Sequence, residues 1–561
     1  MDTEFGPWNP GIESQVPRQL CHLATIFRPE NVFTSFAAAA ELRGLTGFNL
    51  SELVVFRPQR LALHELLVRV TADFAVPDGT RIADLGLNFR EIARLLLARY
   101  LEPAMSDITA AYRGAAQDAN DIIESALSHL NRNWGPEEIG EFERLAAAAP
   151  SAAGAAGHKS LARVMSALFT TQGGAWGTKD LIASMAGGLA GNGLGSDCIG
   201  QAIAPLLQAA ARAQGYKLLP RQEHPVVINT KGPSASGKST LRPLQKKLAG
   251  DIGVQWSDFA LISPDIWRKQ LLDYASLGGA YKYAGAFTSD EVQIIDQKLD
   301  RYMAAKSRRG DMSHLLIDRF RFDSFAPDSD EAGSNLLTRF GQTVYLFFVI
   351  TPPEMLVERA WKRGLEFGRY KAVDDTLAHS VEAYSGIPGV FFTWVRRSDK
   401  RIQFEFLDNT VLLGERPRTV AFGDNETFNV LDVKATLDID RYARIDVDAT
   451  AAGYLYPDPA VLAPENNVDF LKRCVKTFRW VNFAEKGSGQ VYLRIERGQP
   501  VQMERAAFEK AIQSPDTLAA IRAVAPEALG GNVPDAVRAE YLNAEEGPGR
   551  PPTLGQWGPL S

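Results

Sequence analysis

The chain has 561 residues, 45% apolar and 23% charged, with a formal net charge of −6. That length predicts two to four domains or subdomains, and the composition argues against wholesale disorder. A mild acidic balance removes the electrostatic signature of a histone-like nucleic-acid binder, although a local basic channel stays open. Cys21, Cys198 and Cys474 are the three cysteines, without metal-ligand spacing, so neither a disulfide framework nor a cysteine zinc site is expected. The start carries no secretory signal pattern and no run reaches the length of a membrane span. The expected compartment is therefore the cytoplasm, with secretion as an effector the alternative.

Residues 1–30 are rich in turn formers. From 50 to 145 the pattern is helical: Ala62, Leu66 and Val70 recur at a spacing of four, as do Ile92, Leu96 and Tyr100. Residues 1–145 are expected as a helical N-terminal region, and 146–220 as a linker and second helical segment. The stretch Ala146–Gly157 reads as the linker. The Gly-rich run Ala186–Gly195 lacks the spacing of a dinucleotide fingerprint and reads as a loop between helices.

At Pro225 the character changes. Val226–Asn229, Phe259–Ser263, His314–Asp318 and Thr343–Ile350 read as strands separated by helical patterns, which predicts an α/β core with a parallel sheet over 221–400. After residue 400, Arg401–Leu407, Thr410–Leu413 and Thr419–Ala421 read as a small antiparallel meander within an α+β region, 401–545. Residues 546–561 read as a flexible tail.

The strongest chemical signal is Gly232-Pro233-Ser234-Ala235-Ser236-Gly237-Lys238-Ser239, followed by Thr240, between a strand and a helix. The glycines permit turns that converge backbone N–H groups on phosphate oxygens, and the helix start adds its dipole. Lys238 would place a cation on the β- and γ-phosphates of ATP, and the Ser239 hydroxyl would bind Mg²⁺. No guanine-reading segment is present. The strand Leu315–Asp318 is followed by Arg319 and Phe320 rather than Glu, which favours a kinase over a motor and leaves Asp318 as a second metal contact.

Asp265 follows the second strand, where a carboxylate can take a proton from a substrate hydroxyl as its oxygen attacks phosphorus. It equally suits the N-terminus of its own helix behind Pro264, and position alone does not separate the two. Arg359 and Arg363 share a helix face, and Arg369 follows a Gly-bounded break, Gly364 to Gly368. They suit a mobile segment that neutralises a transferring phosphoryl group, or a solvated surface. Thr288 to Glu291 reads as a capping box, with Glu291 also a candidate to hold a substrate hydroxyl. Tyr281 and Tyr283 suit stacking on a base or partial burial. His314 and His379 show no ligand partners in the sequence pattern.

Together, the loop Gly232–Thr240, the element Ile262-Ser263-Pro264-Asp265, the helix Thr288–Met303 leading to Leu315–Arg319, and the segment Glu358–Arg369 with the helix around His379–Tyr384 resemble the zeta toxin family of small-molecule kinases. The match covers about 225–395. The resemblance implies Asp265 as base, Lys238 and Ser239 as phosphate and metal contacts, two of Arg359, Arg363 and Arg369 as lid charges, and Thr288 and Glu291 at the substrate. It also implies ATP and Mg²⁺, a nucleotide-linked substrate such as a UDP-amino-sugar or NAD phosphorylated at a 3′-hydroxyl, and an antitoxin or chaperone protein as partner. The segment from Arg369 to Pro388 is similar to the type III effector branch that phosphorylates NAD. Two other readings stay open. One is a polynucleotide kinase using Lys217, Arg221, Lys231, Lys246 and Lys247, in which nucleic acid would be the partner; the other is a nucleotide-gated interaction protein without catalysis.

Overall fold

In the computed structural model, residues 5–319, 336–412, 414–542 and 551–558 are described. The chain divides into two units that interleave in sequence: Gln15–Leu218 with Asp265–Leu299, and Met1–Ser14 with Leu219–Pro264 and Asp300–Ser561. The division differs from the expected succession of regions, because residues 265–299 belong with the N-terminal helices.

The first of these units is helical. Its main helices are Phe36–Thr46, Pro58–Asp73, Asp84–Leu96, Met105–Ser128, Pro136–Ala148, Ala152–Gln172 and Lys179–Gln214, joined by the beginning of the helix Ser289–Arg308. Pro58–Asp73 is buried almost all round, as a central helix must be, with Leu61, Leu66 and Leu67 fully enclosed. Two expectations change here. The linker 146–157 is largely helical, since Ser151 accepts from Gly154 N and starts Ala152–Gln172. The Gly-rich run is not a loop but lies inside Lys179–Gln214. A Cβ on Gly195 would stand 2.4 Å from the Tyr112 ring of the Met105–Ser128 helix. The small residues therefore form a packing seam, a use of glycine that resembles a loop in sequence alone.

The other unit is built on one mixed sheet of eleven strands. These are β1 (Val226–Lys231), β2 (Phe259–Ile262), β3 (His314–Asp318), β4 (Thr343–Ile350), β5 (Arg401–Asp408), β6 (Arg418–Asp424), β7 (Thr427–Val430), β8 (Trp480–Ala484), β9 (Gln490–Glu496), β10 (Gln499–Met503) and β11 (Glu540–Tyr541). The order is β10-β9-β8-β7-β6-β5-β4-β1-β3-β2, with β11 on β9. Strands β2, β3, β1, β4 and β5 run parallel, and every residue of β1 is buried, as expected for a parallel strand covered on both faces. Thus the four strands read at 226–350 form, and the α/β class holds.

No break occurs at residue 400. β5 pairs in parallel with β4 and antiparallel with β6. Phe391, on the helix Val373–Val395, packs at 5.8 Å from Phe348, 4.9 Å from Phe404 and 5.1 Å from Phe406, binding both halves into one aromatic core. Thr410–Leu412 is not a strand, and Leu413 lies outside the described residues, as do Phe320 and 546–550 and 559–561 of the expected tail. Residues 551–558 are docked. Leu554 N and Gly555 N donate to the buried Glu405 carboxylate at 2.5 and 2.9 Å, Thr419 Oγ1 donates at 2.7 Å, and Trp557 packs 4.8 Å from Phe422. Burial pushes the Glu405 carboxyl up to about 7, against those three hydrogen bonds.

Candidate functional site

The register fixes which residues meet at the carboxyl edge of the parallel strands. Thr230 pairs with Asp318, Lys231 with Phe348 and Ile350 with Asp408. The connections after β1, β3, β4 and β5 therefore leave from one edge, where open α/β sheets bind ligands. The first is the glycine loop. Gly237 has φ +93°, and a Cβ there would stand 2.3 Å from Asn409 Nδ2, so both backbone and packing demand glycine. Ala235 takes the left-handed region at φ +65°, a local strain of about 1 kcal/mol. Ser236 Oγ is buried and has no hydrogen-bond partner among the described residues.

Lys238 Nζ donates to the carbonyls of Gly232 and Pro233, both at 2.9 Å, which holds its charge over the loop. Ser239 Oγ donates to Asp318 Oδ2 at 2.9 Å, and Thr240 Oγ1 donates to Gly237 O at 2.6 Å. An alcohol beside a carboxylate is a hard-oxygen pair suited to a magnesium ion that keeps waters and phosphate ligands. Among the described residues no three His, Cys, Asp or Glu side chains group as a metal cluster, and no helix is long and apolar enough to cross a membrane. Arg319, next to Asp318, is buried and donates to Asp300 at 2.7 Å, which anchors the end of β3.

Arg359 lies on the helix Pro353–Phe367, and its guanidinium donates to Ser236 O at 3.4 Å, Asn409 O at 2.7 Å and Val411 O at 3.2 Å. Burial lowers its pKa, with Asp408 opposing, but a guanidinium stays charged. It thus ties helix, loop and β5 together. Arg363 is one turn further along the same helix, and Arg369 follows the left-handed Gly368; both are half-buried. The expected break at Gly364 does not form, because the helix runs to Phe367 and Gly364 makes room for the Tyr370 ring. Asn409 escaped the sequence reading. It donates to Ser236 O at 2.7 Å, and only its place one residue beyond β5 could have flagged it.

Asp265, Thr288 and Glu291 belong to the helical unit. Asp265 is half-exposed and accepts from Arg268 Nε at 2.8 Å, while Arg268 Nη1 donates to Thr288 Oγ1 at 2.8 Å and to Gly285 O at 2.7 Å. Arg268 thereby brings Asp265 and Thr288 together. The expected capping box does not form. Glu291, fully buried, instead takes Arg60 Nε and Nη2 at 2.5 and 2.6 Å and His64 Nε2 at 2.6 Å, all from Pro58–Asp73. Lys298 Nζ stands 3.0 Å from His64 Nδ1, so the imidazole is neutral, accepting at Nδ1 and donating from Nε2 to Glu291. Burial lowers His64 to about 3, assisted by Lys298. Burial would raise Glu291, but the Arg60 charge and the bonds from His64 and Arg60 outweigh it and hold the carboxyl well below its usual range.

Tyr281 is exposed and Tyr283 packs 6.1 Å from Phe287. His314 Nδ1 accepts from Val226 N at 2.9 Å, a structural bond across β3 and β1. Lys231 is fully buried in β1, so it does not join the exposed Lys217, Arg221, Lys246 and Lys247 in a surface basic channel.

Compared with known proteins, no family model and no curated protein matches this chain. It is similar to a solved chain from the PezAT chromosomal toxin-antitoxin system of the human pathogen Streptococcus pneumoniae. The two share 19% identity at a TM-score of 0.24, over 36% of this chain and 74% of that one.

Proposed function

We propose that the protein is an ATP- and magnesium-dependent phosphotransferase acting on an alcohol of a nucleotide-linked small molecule, in the manner of a toxin or effector kinase. The observation that carries this reading is the Ser239–Asp318 pair beside the Lys238-capped glycine loop. Loop N–H groups and Lys238 would hold the triphosphate, and Ser239 with Asp318 would hold magnesium, which when bound neutralises phosphate charge. In the transfer, a substrate hydroxyl oxygen bonds to the γ-phosphorus as the bond to the β–γ bridging oxygen breaks, ADP leaves, and a base takes the hydroxyl proton. Asp265 is the residue proposed as that base, on its half-exposed carboxylate and its place just after β2. Arg363 and Arg369 are proposed as charges near the phosphates, and an antitoxin or chaperone protein as partner. UDP-amino-sugars and NAD are the proposed substrates.

The test is transfer of label from γ-labelled ATP to UDP-N-acetylglucosamine and to NAD by the full chain. Expected is a labelled product that Lys238→Ala and Asp265→Asn both abolish. Product formation insensitive to Lys238→Ala, or no ATP binding at all, would overturn the reading.

A further inference from the structure

The helical unit holds a cleft of its own. It has a volume of about 650 Å³ and lies between the end of Met105–Ser128, the turn at 129–131, Pro136–Ala148 and the first turns of Ala152–Gln172. Part of its lining is apolar: Leu130 and Phe142 are buried, and Ile122 and Ala126 are half-buried. Leu145 also borders it, with 41% of its surface exposed. His158 stacks on Phe142, the ring centroids 6.2 Å apart and the planes 14° from parallel. Its Nδ1 is buried and has no hydrogen-bond partner among the described residues.

The rest of the lining is acidic, and no lysine or arginine neutralises it. Asp121 accepts from Gln117 Nε2 at 2.7 Å, and Glu138 accepts from Gly135 N at 2.8 Å. Glu141 is exposed and makes no hydrogen bond or ion pair among the described residues. Of the basic residues on and around these helices, Arg144 donates to Gly140 O at 3.3 Å and Lys179 to Ser128 O at 3.1 Å, while Arg132 and Lys159 are exposed and pair with none of the three carboxylates. Asp121, His129, Glu138, Glu141 and His158 all border the cleft, yet among the described residues no three such side chains group closely enough to hold a metal ion. The negative charge is therefore spread along an apolar surface. A compact metal ion does not match that arrangement. An extended organic cation does, because its ammonium groups are separated by methylene stems that suit the apolar lining.

We propose that this cleft binds an organic polycation of the polyamine class. Asp121, Glu138 and Glu141 take its ammonium groups, and its methylene stem lies against Ile122 and Phe142. His158 Nδ1 is the buried polar atom left for one of its N–H donors. A volume of about 650 Å³ falls among clefts that enclose small organic ligands. The proposal stands apart from the phosphotransferase reading, since every residue lining the cleft belongs to the helical unit.

The test is calorimetric binding of spermine to the full chain at physiological ionic strength, with magnesium chloride as competitor. Spermine is expected to bind and to stay bound when magnesium is added at the same concentration. Asp121→Asn and Glu141→Gln should each weaken it about two- to fivefold, the range of partly exposed ion pairs, and the double variant about tenfold. Ser125→Trp, which places a large side chain on the cleft lining, should abolish binding. In wild-type protein, where no variant has to fold, the NMR ring signals of His129 and His158 should shift along the same isotherm, while those of His22 and His224 stay in place. Any one of four results overturns the proposal: no binding of spermine, its displacement by equal magnesium, ring signals of His129 and His158 unmoved by spermine, or wild-type affinity in the folded double variant and in Ser125→Trp. None of these touches Lys238-sensitive ATP binding, on which the phosphotransferase reading is judged separately.

Discussion

The glycine loop and the Glu291 cluster both hold charge out of water, by opposite means. The loop is contiguous, and Lys238 and Arg359 are satisfied there by backbone carbonyls. The Glu291 cluster joins side chains 231 positions apart and works by direct ion pairing, with His64 neutral between Glu291 and Lys298. A carbonyl-lined site accepts loss of one side chain with its backbone frame intact, whereas a buried ion cluster does not. Their pH behaviour differs as well. His64 and Glu291 are both depressed in the folded state, so their contribution is present above their unfolded values and fades as pH falls from about 6.5. Glu405, in the sheet unit, is raised from 4.5 to about 7, so its contribution is full below 4.5 and lost as pH rises through 7.

The sharpest way to break this contrast is Glu291→Ala, which leaves Arg60 without its carboxylate beside His64 and Lys298. It should cost about 3–5 kcal/mol in chemical denaturation, and the double change Glu291→Met with Arg60→Met should recover much of it. If the single change proves silent, the cluster does not hold the helical unit. Next, Glu405→Gln should flatten the loss of stability of the sheet unit between pH 4.5 and 7, a term of up to about 3 kcal/mol, read by hydrogen exchange at β5 and β6. Over the same range, amides of Pro58–Asp73 should show the reverse slope. Asp318→Asn should cut phosphotransfer about 100-fold while leaving the melting temperature near wild type. The smallest effect is expected from Asn409→Ala, which removes one hydrogen bond to Ser236 O and the wall over Gly237. A cost of about 1 kcal/mol and a few-fold weaker ATP binding should follow.

Sequence reading did best where chemistry and contiguity coincide. The strands at 226–350 carry continuous apolar runs, and the Ser239–Asp318 pair follows from a loop and a strand end whose parallel register leaves little freedom. It did worst where distant segments decide. Thr288 to Glu291 matches a capping box locally, but Arg60 and His64 claim the carboxylate. The glycines at 186–195 resemble a loop until Tyr112 is placed against them. Asn409 carries no motif, because its position depends on where the end of β5 lies against the loop. The tail reads as flexible from its prolines and glycines, while it docks on the buried side chain of Glu405, far away in sequence.

The interleaving of the two units bears on how the protein is made. The helices of 15–218 leave the ribosome first, but Glu291, Lys298 and Trp267, which bond to Arg60, His64 and Thr71, emerge only after β1 and the phosphate loop have been synthesised. Arg60, His64 and Thr71 on Pro58–Asp73 therefore lack these partners until translation passes residue 299. During that interval Arg60 and His64 stand without the carboxylate that holds them in the folded unit.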